Sequence, residues 1–242
     1  MRTNTIKLDY KKNTQMVAHR GVSGLERENT AAAFIAAGNR TYFGVETDIY
    51  HTSDGKYVCH HDGSTKRICE VDLPIEGSTF DELRALNFTD VDGATDRAEI
   101  RIATPYEYMK ICKKYAKHCV PELKSNFTLE EMKEIMQIFA DADYLDHTCF
   151  IAFNIANLDL VKQIRPEQEC QFLTSKWDDS LPAMLAERKM GLDILYSQLT
   201  AERIKALHDA GVEVNCWTVD DPEKALELID WGVDYITSNI LE

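Results

Sequence analysis

The chain has 242 residues, 44% apolar and 28% charged, so it can bury a sizeable core and is too hydrophobic to be disordered. With 27 Lys and Arg against 41 Asp and Glu, its net charge of −14 repels polyphosphate backbones and argues against a nucleic-acid partner. No run approaches the ~20 apolar residues of a membrane span, and the N-terminal "MRTNTIKLDYKKNTQ" lacks the apolar stretch of a signal peptide, so a cytoplasmic protein without a transmembrane segment is expected.

The first predicted strand, "MVAHR" (16–20), ends in His19 and Arg20 and runs into a glycine. A helix follows over 31–38, and Asn29 or Thr30 is placed to cap it. For Asn29 a cap is the first expectation and a contact with the site the second. The second strand, "VETDIY" (45–50), carries Glu46 and Asp48 at i, i+2, so both carboxylates point to one face. Ser53-Asp54-Gly55 then leaves room only for an antiparallel return by "KYVCHHD" (56–62), which ends in His60-His61-Asp62. Residues 63–103 are the least regular part, with one short helix near 79–86, and read as a lid or side insertion near the mouth of the fold.

Regular alternation resumes with "HCVPELK" (118–124), which ends in Glu122 and Lys124, again at i, i+2. A helix is predicted over 128–142 with Thr128 as cap, then strands at 149–154, 170–175 and 193–198. Thr200 opens a helix that stops at Gly211; the strand "VEVNCWTV" (212–219) carries Trp217, Pro222 starts a helix, and "DYITSN" (234–239) is the last strand. The seven cysteines are odd in number, form no C-x-x-C and sit mostly in apolar runs, as free thiols in a reducing cytosol would.

Eight strands alternating with helices over this length predict an α/β fold, a single-domain (β/α)8 TIM barrel over 1–242 with a small insertion, roughly 63–103, after the second strand. Barrel enzymes keep their chemistry at the C-terminal ends of the strands. That is where His19-Arg20, Glu46-x-Asp48, His61-Asp62 and Glu122-x-Lys124 all fall. Alone, E-x-D fits a solvated strand face, H-H-D a turn and E-x-K a salt bridge. Together, three inward carboxylates are too expensive to bury without a partner charge.

In this order the motifs "HRG" (19–21), "ENTAAAF" (28–34), "ETD" (46–48), "TSDGKYVCHHD" (52–62) and "ELK" (122–124) resemble the glycerophosphodiester phosphodiesterase family, with weaker echoes in "CWTVD" (216–220) and "GVDYITSN" (232–239). The resemblance implies metal-dependent hydrolysis of glycerophosphodiesters to glycerol 3-phosphate and an alcohol. It implies Glu46, Asp48 and Glu122 as metal ligands, His19 and His61 as the acid–base pair, and Arg20 and Lys124 on the phosphate. It also implies that the substrate's own hydroxyl attacks to form a cyclic phosphate, in keeping with the lack of a serine or cysteine in an activated-nucleophile pattern. Departures from the family at Ser238-Asn239 and at "AFN" (152–154) lie away from the metal and histidine motifs and are expected to bear on substrate fit.

The residues agree independently. Three carboxylates without a thiolate or clustered imidazole make a hard-oxygen site, suited to Mg²⁺ or Ca²⁺. Alternation along the strand puts His60 on the face opposite His61, and Asp62 adjoins His61. Trp217 fits core packing or the wall of the substrate pocket. Two rival functions remain: a phospholipase-like enzyme on lysolipid head groups, which needs an apolar ramp near 63–103, and a non-catalytic phosphoester-binding protein, which has no use for two proton-transfer groups.

Overall fold

The computed structural model describes residues 3–242. Its strands are β1 (Gln15–Ala18), β2 (Gly44–His51), β3 (Tyr57–Cys59), β4 (His118–Leu123), β5 (Phe150–Ala152), β6 (Cys170–Thr174), β7 (Gly191–Leu195), β8 (Val214–Trp217) and β9 (Tyr235–Ser238). Its helices are α1 (Ala31–Gly38), α2 (Phe80–Arg84), α3 (Pro105–Lys114), α4 (Leu129–Ala140), α5 (Ile155–Ile164), α6 (Leu181–Arg188), α7 (Ala201–Asp209) and α8 (Pro222–Trp231). All strands except β3 run parallel, and β1 pairs with both β2 and β9, so the sheet closes into the predicted barrel. None of the described helices is long and apolar enough to cross a membrane.

Local chemistry starts the helices where the sequence places them. Thr104 and Thr128 form capping boxes with Glu107 and Glu131, while Thr30, Thr200 and Asp221 accept from first-turn amides. Each such cap contributes about 1 kcal/mol. Thr30, not Asn29, is the cap of α1, so the first expectation for Asn29 is corrected. Most of the core lies between the helices and the outer face of the barrel. A smaller apolar layer of Val17, Val120, Ile151 and Leu173 fills the interior, as the alternation of side chains along each strand requires.

One irregularity in the sheet positions the chemistry. β1 pairs with β2 only at Gly44 and Val45, and β3 takes up pairing with β2 at Ile49. In the gap between, Gly21 N donates to Glu46 O at 3.2 Å and His60 N to Asp48 O at 3.0 Å. The loop after β1 and the end of β3 are thereby stitched to β2 beside its two carboxylates.

Residues 63–103 form a packed side layer, not a lid. Val58, Ile68, Ile75, Leu83, Phe88, Ile100 and Ile102 make a separate small core. Arg27 Nη2 donates to Asp90 O at 2.8 Å, and Arg97 bridges Glu26 at 2.9 Å and Asp90 at 2.7 Å, which ties this layer to the loop after β1.

Candidate active site

The H-R-G turn is tight because it must be. Gly21 has φ +77°, and a Cβ there would lie 2.6 Å from Ala33 Cβ. Arg20 also sits in the left-handed region at φ 53°, a strained choice for a side chain with a Cβ. Its amide donates to Glu46 Oε2 at 2.7 Å, a charge-assisted bond that offsets the strain.

Glu46, Asp48 and Glu122 are all buried and each offers an oxygen within 4.8 Å of the others. The two cations among them are Arg20, with Nε 3.6 Å from Asp48 Oδ2, and Lys124, with Nζ 2.9 Å from Glu122 Oε1 and 3.5 Å from Asp48 Oδ1. Burial opposes the charge on Asp48, yet Arg20 and Lys124 hold its pKa below the usual carboxylate range. Burial and the Asp48 charge push Glu122 up to about 7, and push Glu46 well above its ordinary value. Lys124 stays charged despite its burial because Asp48 and Glu122 face it. Fully ionised, the three carboxylates outnumber the two monovalent cations, one of which also serves Glu28; burial and this surplus negative charge are what raise Glu122 and Glu46. Asp48 Oδ1 is buried without a hydrogen-bond partner among the described residues. Hard oxygen donors, surplus charge and an orphaned oxygen fit a divalent cation.

The two predicted histidines are each oriented from behind. His19 Nδ1 lies 2.7 Å from Asn239 Oδ1. Asn239 Nδ2 donates to Asp220 Oδ2 at 2.6 Å, which fixes the amide's orientation. Asn239 Oδ1 can then only accept, so His19 carries its proton on Nδ1 and leaves Nε2, 3.9 Å from Glu46 Oε2, as the basic nitrogen. Burial and the adjacent Arg20 guanidinium push the His19 pKa down to about 4. Asn239 is thus the direct partner of His19. The expectation that this departure from the family lay away from the histidine motifs is corrected. Ala152, the other departure, is buried toward the outer core and does not face the site.

His61 Nδ1 lies 2.6 Å from Asp62 Oδ1, which leaves its Nε2 uncommitted among the described residues. Asp62 is held in turn by Arg67 Nε at 2.6 Å, and Arg67 also clamps both oxygens of Glu28, at 2.8 and 2.7 Å. Glu28 Oε1 accepts from Arg20 Nη1 at 2.9 Å. Burial works against the Glu28 charge, but Arg67 and Arg20 hold its pKa at about 2. A continuous chain of charged contacts therefore joins His61 to Arg20. The sequence gives neither Glu28 nor Arg67 a role: Glu28 opens the "ENTAAAF" motif, and Arg67 has no signal beyond its nearness to H-H-D. His60 points the other way, packs on Phe88 and lies 3.1 Å from Ser64 O.

His19, Arg20, Glu46, His61, Glu122 and Trp217 line one pocket of about 130 Å³ at the C-terminal end of the barrel. Trp217 packs edge-on against Phe153 at the rim, with ring centroids 5.7 Å apart. Asn29 is not on the pocket wall: its Nδ2 donates to Asp48 Oδ2 at 2.7 Å and its Oδ1 accepts from Thr47. It steadies a carboxylate where a substrate contact was expected. Asp193 of β7 does line the pocket, and the sequence offered only a lone carboxylate within an apolar run to find it. A larger opening of about 400 Å³ at the other end of the barrel contains none of the predicted site residues.

Among known proteins, the glycerophosphoryl diester phosphodiesterase family matches residues 19–241. A glycerophosphodiester phosphodiesterase of Caldanaerobacter subterraneus subsp. tengcongensis is 26% identical over 233 residues, covering 93% of this chain and 94% of that protein. An Oleispira antarctica phosphodiesterase solved in complex with the product sn-glycerol-3-phosphate has a TM-score of 0.85 and 26% identity, covering 93% of this chain and 92% of its own. A glycerophosphodiester phosphodiesterase of Parabacteroides distasonis has a TM-score of 0.78 and 28% identity, covering 95% and 94% of the two chains. The match takes in the closed barrel, both histidine motifs and the carboxylate cluster, and the chain belongs to the glycerophosphoryl diester phosphodiesterase family, a family of phosphoric diester hydrolases.

Proposed function

We propose that the enzyme hydrolyses glycerophosphodiesters to glycerol 3-phosphate and an alcohol, with Glu46, Asp48 and Glu122 holding Mg²⁺ or Ca²⁺ and His19 and His61 moving protons. The observation that carries this reading is the pair of histidines lining one pocket, each tethered through Nδ1, beside three carboxylates with surplus charge. When bound, the cation supplies Lewis-acid polarisation of the phosphate and lowers the pKa of a nearby hydroxyl. Arg20, whose Nε has no hydrogen-bond partner among the described residues, and charged Lys124 fix the phosphate oxygens. His19 Nε2, neutral at physiological pH, takes the proton of the glycerol hydroxyl next to the phosphate as that oxygen attacks phosphorus. His61 gives a proton to the departing alcohol oxygen. Water then opens the cyclic phosphate with the two roles exchanged.

The side layer at 63–103 buries its apolar residues, leaving Val71 and Val91 as its exposed large ones, so it offers no apolar ramp for a lipid chain. All seven cysteines are unpaired, which supports a reducing, cytoplasmic setting.

The test is turnover of glycerophosphocholine, followed as release of glycerol 3-phosphate. A chelator should abolish it and Mg²⁺ or Ca²⁺ should restore it. Glu46→Gln should weaken metal binding while leaving the circular dichroism spectrum intact. Full activity in metal-free protein rules out the metal role, and absence of glycerol 3-phosphate rules out the reaction.

Stability gives a second readout. Glu122 has a folded pKa of about 7 against an ordinary 4.5, so its contribution is fully present below pH 4.5 and lost as pH rises through 7. Metal-free protein should therefore lose stability across that window. A divalent cation at a hundred times its Kd adds about 2.7 kcal/mol, or roughly 5–10 °C in Tm for a chain of this size. At one fixed cation concentration the gain should be larger at pH 8 than at pH 5, because deprotonation of Glu122 lowers the Kd; a pH-independent gain would place the cation elsewhere.

A further inference from the structure

Two buried polar groups of the pocket have no use in the chemistry above. Asp193 is 1% exposed, its Oδ1 has no hydrogen-bond partner among the described residues, and the residue lines the pocket. Trp217 lines the same pocket and its Nε1 is likewise buried without a partner. Leaving an acceptor and a donor unsatisfied costs about 1–3 kcal/mol each, which a fold does not sustain at two neighbouring points unless something else satisfies them. The neighbouring polar groups do not help, since Thr237 donates to Asn215 and Asn215 donates to Gln171. Asp193 and Trp217 lie on the adjacent strands β7 and β8, and the pocket wall on the other side of Asp193 is apolar, formed by its cross-strand partner Leu173 and by Ile151.

We infer that Asp193 and Trp217 form a seat for one neutral hydroxyl group: the glycerol hydroxyl farthest from the phosphate donates to Asp193 Oδ1 and accepts from Trp217 Nε1–H. This rests on the proposed reaction and deepens it by naming what selects the glycerol arm. A hydroxyl is donor and acceptor at once, so it satisfies both orphans, and it does so whether or not the carboxyl is ionised. The ammonium head of a leaving alcohol matches only the acceptor and meets the positive edge of the indole N–H. Size agrees: about 130 Å³ is a few times the ~30 Å³ share of a water molecule, enough for a short polyol arm. The carbon chain of that arm lies on Ile151 and Leu173. Asp193 and Trp217 are specificity residues, and neither moves a proton.

The experiment compares glycerophosphocholine with the diester in which glycerol is replaced by propane-1,2-diol, which keeps the hydroxyl next to the phosphate and lacks the far one. A site built around a hydroxyl rejects the analogue without it strongly, so the wild-type kcat/KM ratio should be at least about a hundredfold. Asp193→Leu, Asp193→Asn and Trp217→Phe should each bring that ratio down, with Mg²⁺ or Ca²⁺ affinity retained. The Asn and Phe variants keep the shape of the site, should the Leu variant fail to fold. The inference is overturned by an unchanged ratio, by equal losses on both diesters, or by a loss that follows the leaving alcohol when choline is exchanged for ethanolamine. Calorimetric binding of sn-glycerol 3-phosphate against propane-1,2-diol 1-phosphate separates the two proposals. Tighter binding of the glycerol compound by a protein that does not turn over supports the seat and removes the reaction; equal binding by an active enzyme removes the seat alone.

Discussion

Removing the hydroxyl next to the phosphate, as in 2-deoxyglycerophosphocholine, should lower kcat/KM by a factor of a thousand or more. The diester remains the same anion with the same leaving choline, and the phosphate contacts proposed for Arg20 and Lys124 are unchanged. What it loses is a nucleophile already fixed beside phosphorus. Well-oriented intramolecular groups act as if present at about 10⁵–10⁸ M, an advantage that water entering a pocket of about 130 Å³ does not recover. Activated diesters without a neighbouring hydroxyl should be poor substrates for the same reason. Release of choline from the two compounds, measured at equal enzyme concentration, checks this. Equal turnover means that water attacks directly and that His19 serves as base toward water.

His19→Ala and His61→Ala should each lower kcat by roughly a hundredfold to ten-thousandfold, the usual contribution of positioned acid–base groups. His60→Ala should keep most of its kcat and lose thermal stability instead, because its ring packs on Phe88 in the side layer. The pH dependence follows from His19. A base must be unprotonated, and burial together with Arg20 puts its pKa at about 4 in place of the ordinary 6.5. The acidic limb of kcat/KM should therefore fall well below pH 6 and move toward pH 4, where a solvent-exposed imidazole would begin to fail above pH 6. An acidic limb at 6.5 that vanishes in His19→Ala would show that the ring is not buried as described. Equal kcat losses at His60 and His61 would mean that the wrong histidine carries the proton.

Much of this molecule is local in origin and so can be read from the chain alone. Strand alternation, threonine caps and the short turn at Ser53-Asp54-Gly55 depend on neighbours within a few residues, and they set eight parallel strands, one antiparallel return and a closed barrel. The i, i+2 spacing likewise puts Glu46 and Asp48 on one face of their strand, where the structure gathers them with Glu122. What needed the tertiary structure is every contact made across the barrel. Asn239 meets His19 across 220 positions, Arg67 meets Glu28 across 39, and Asp193 comes to the pocket from a strand with no motif of its own. Asn29 shows the limit most plainly: Asn and Thr are equally good caps in a sequence, and only the position of Asp48, 2.7 Å from its amide, decides that Thr30 caps the helix while Asn29 holds the carboxylate. Local propensity fixes where elements begin and end; which polar atoms find each other depends on how closure of the barrel brings distant strand ends together.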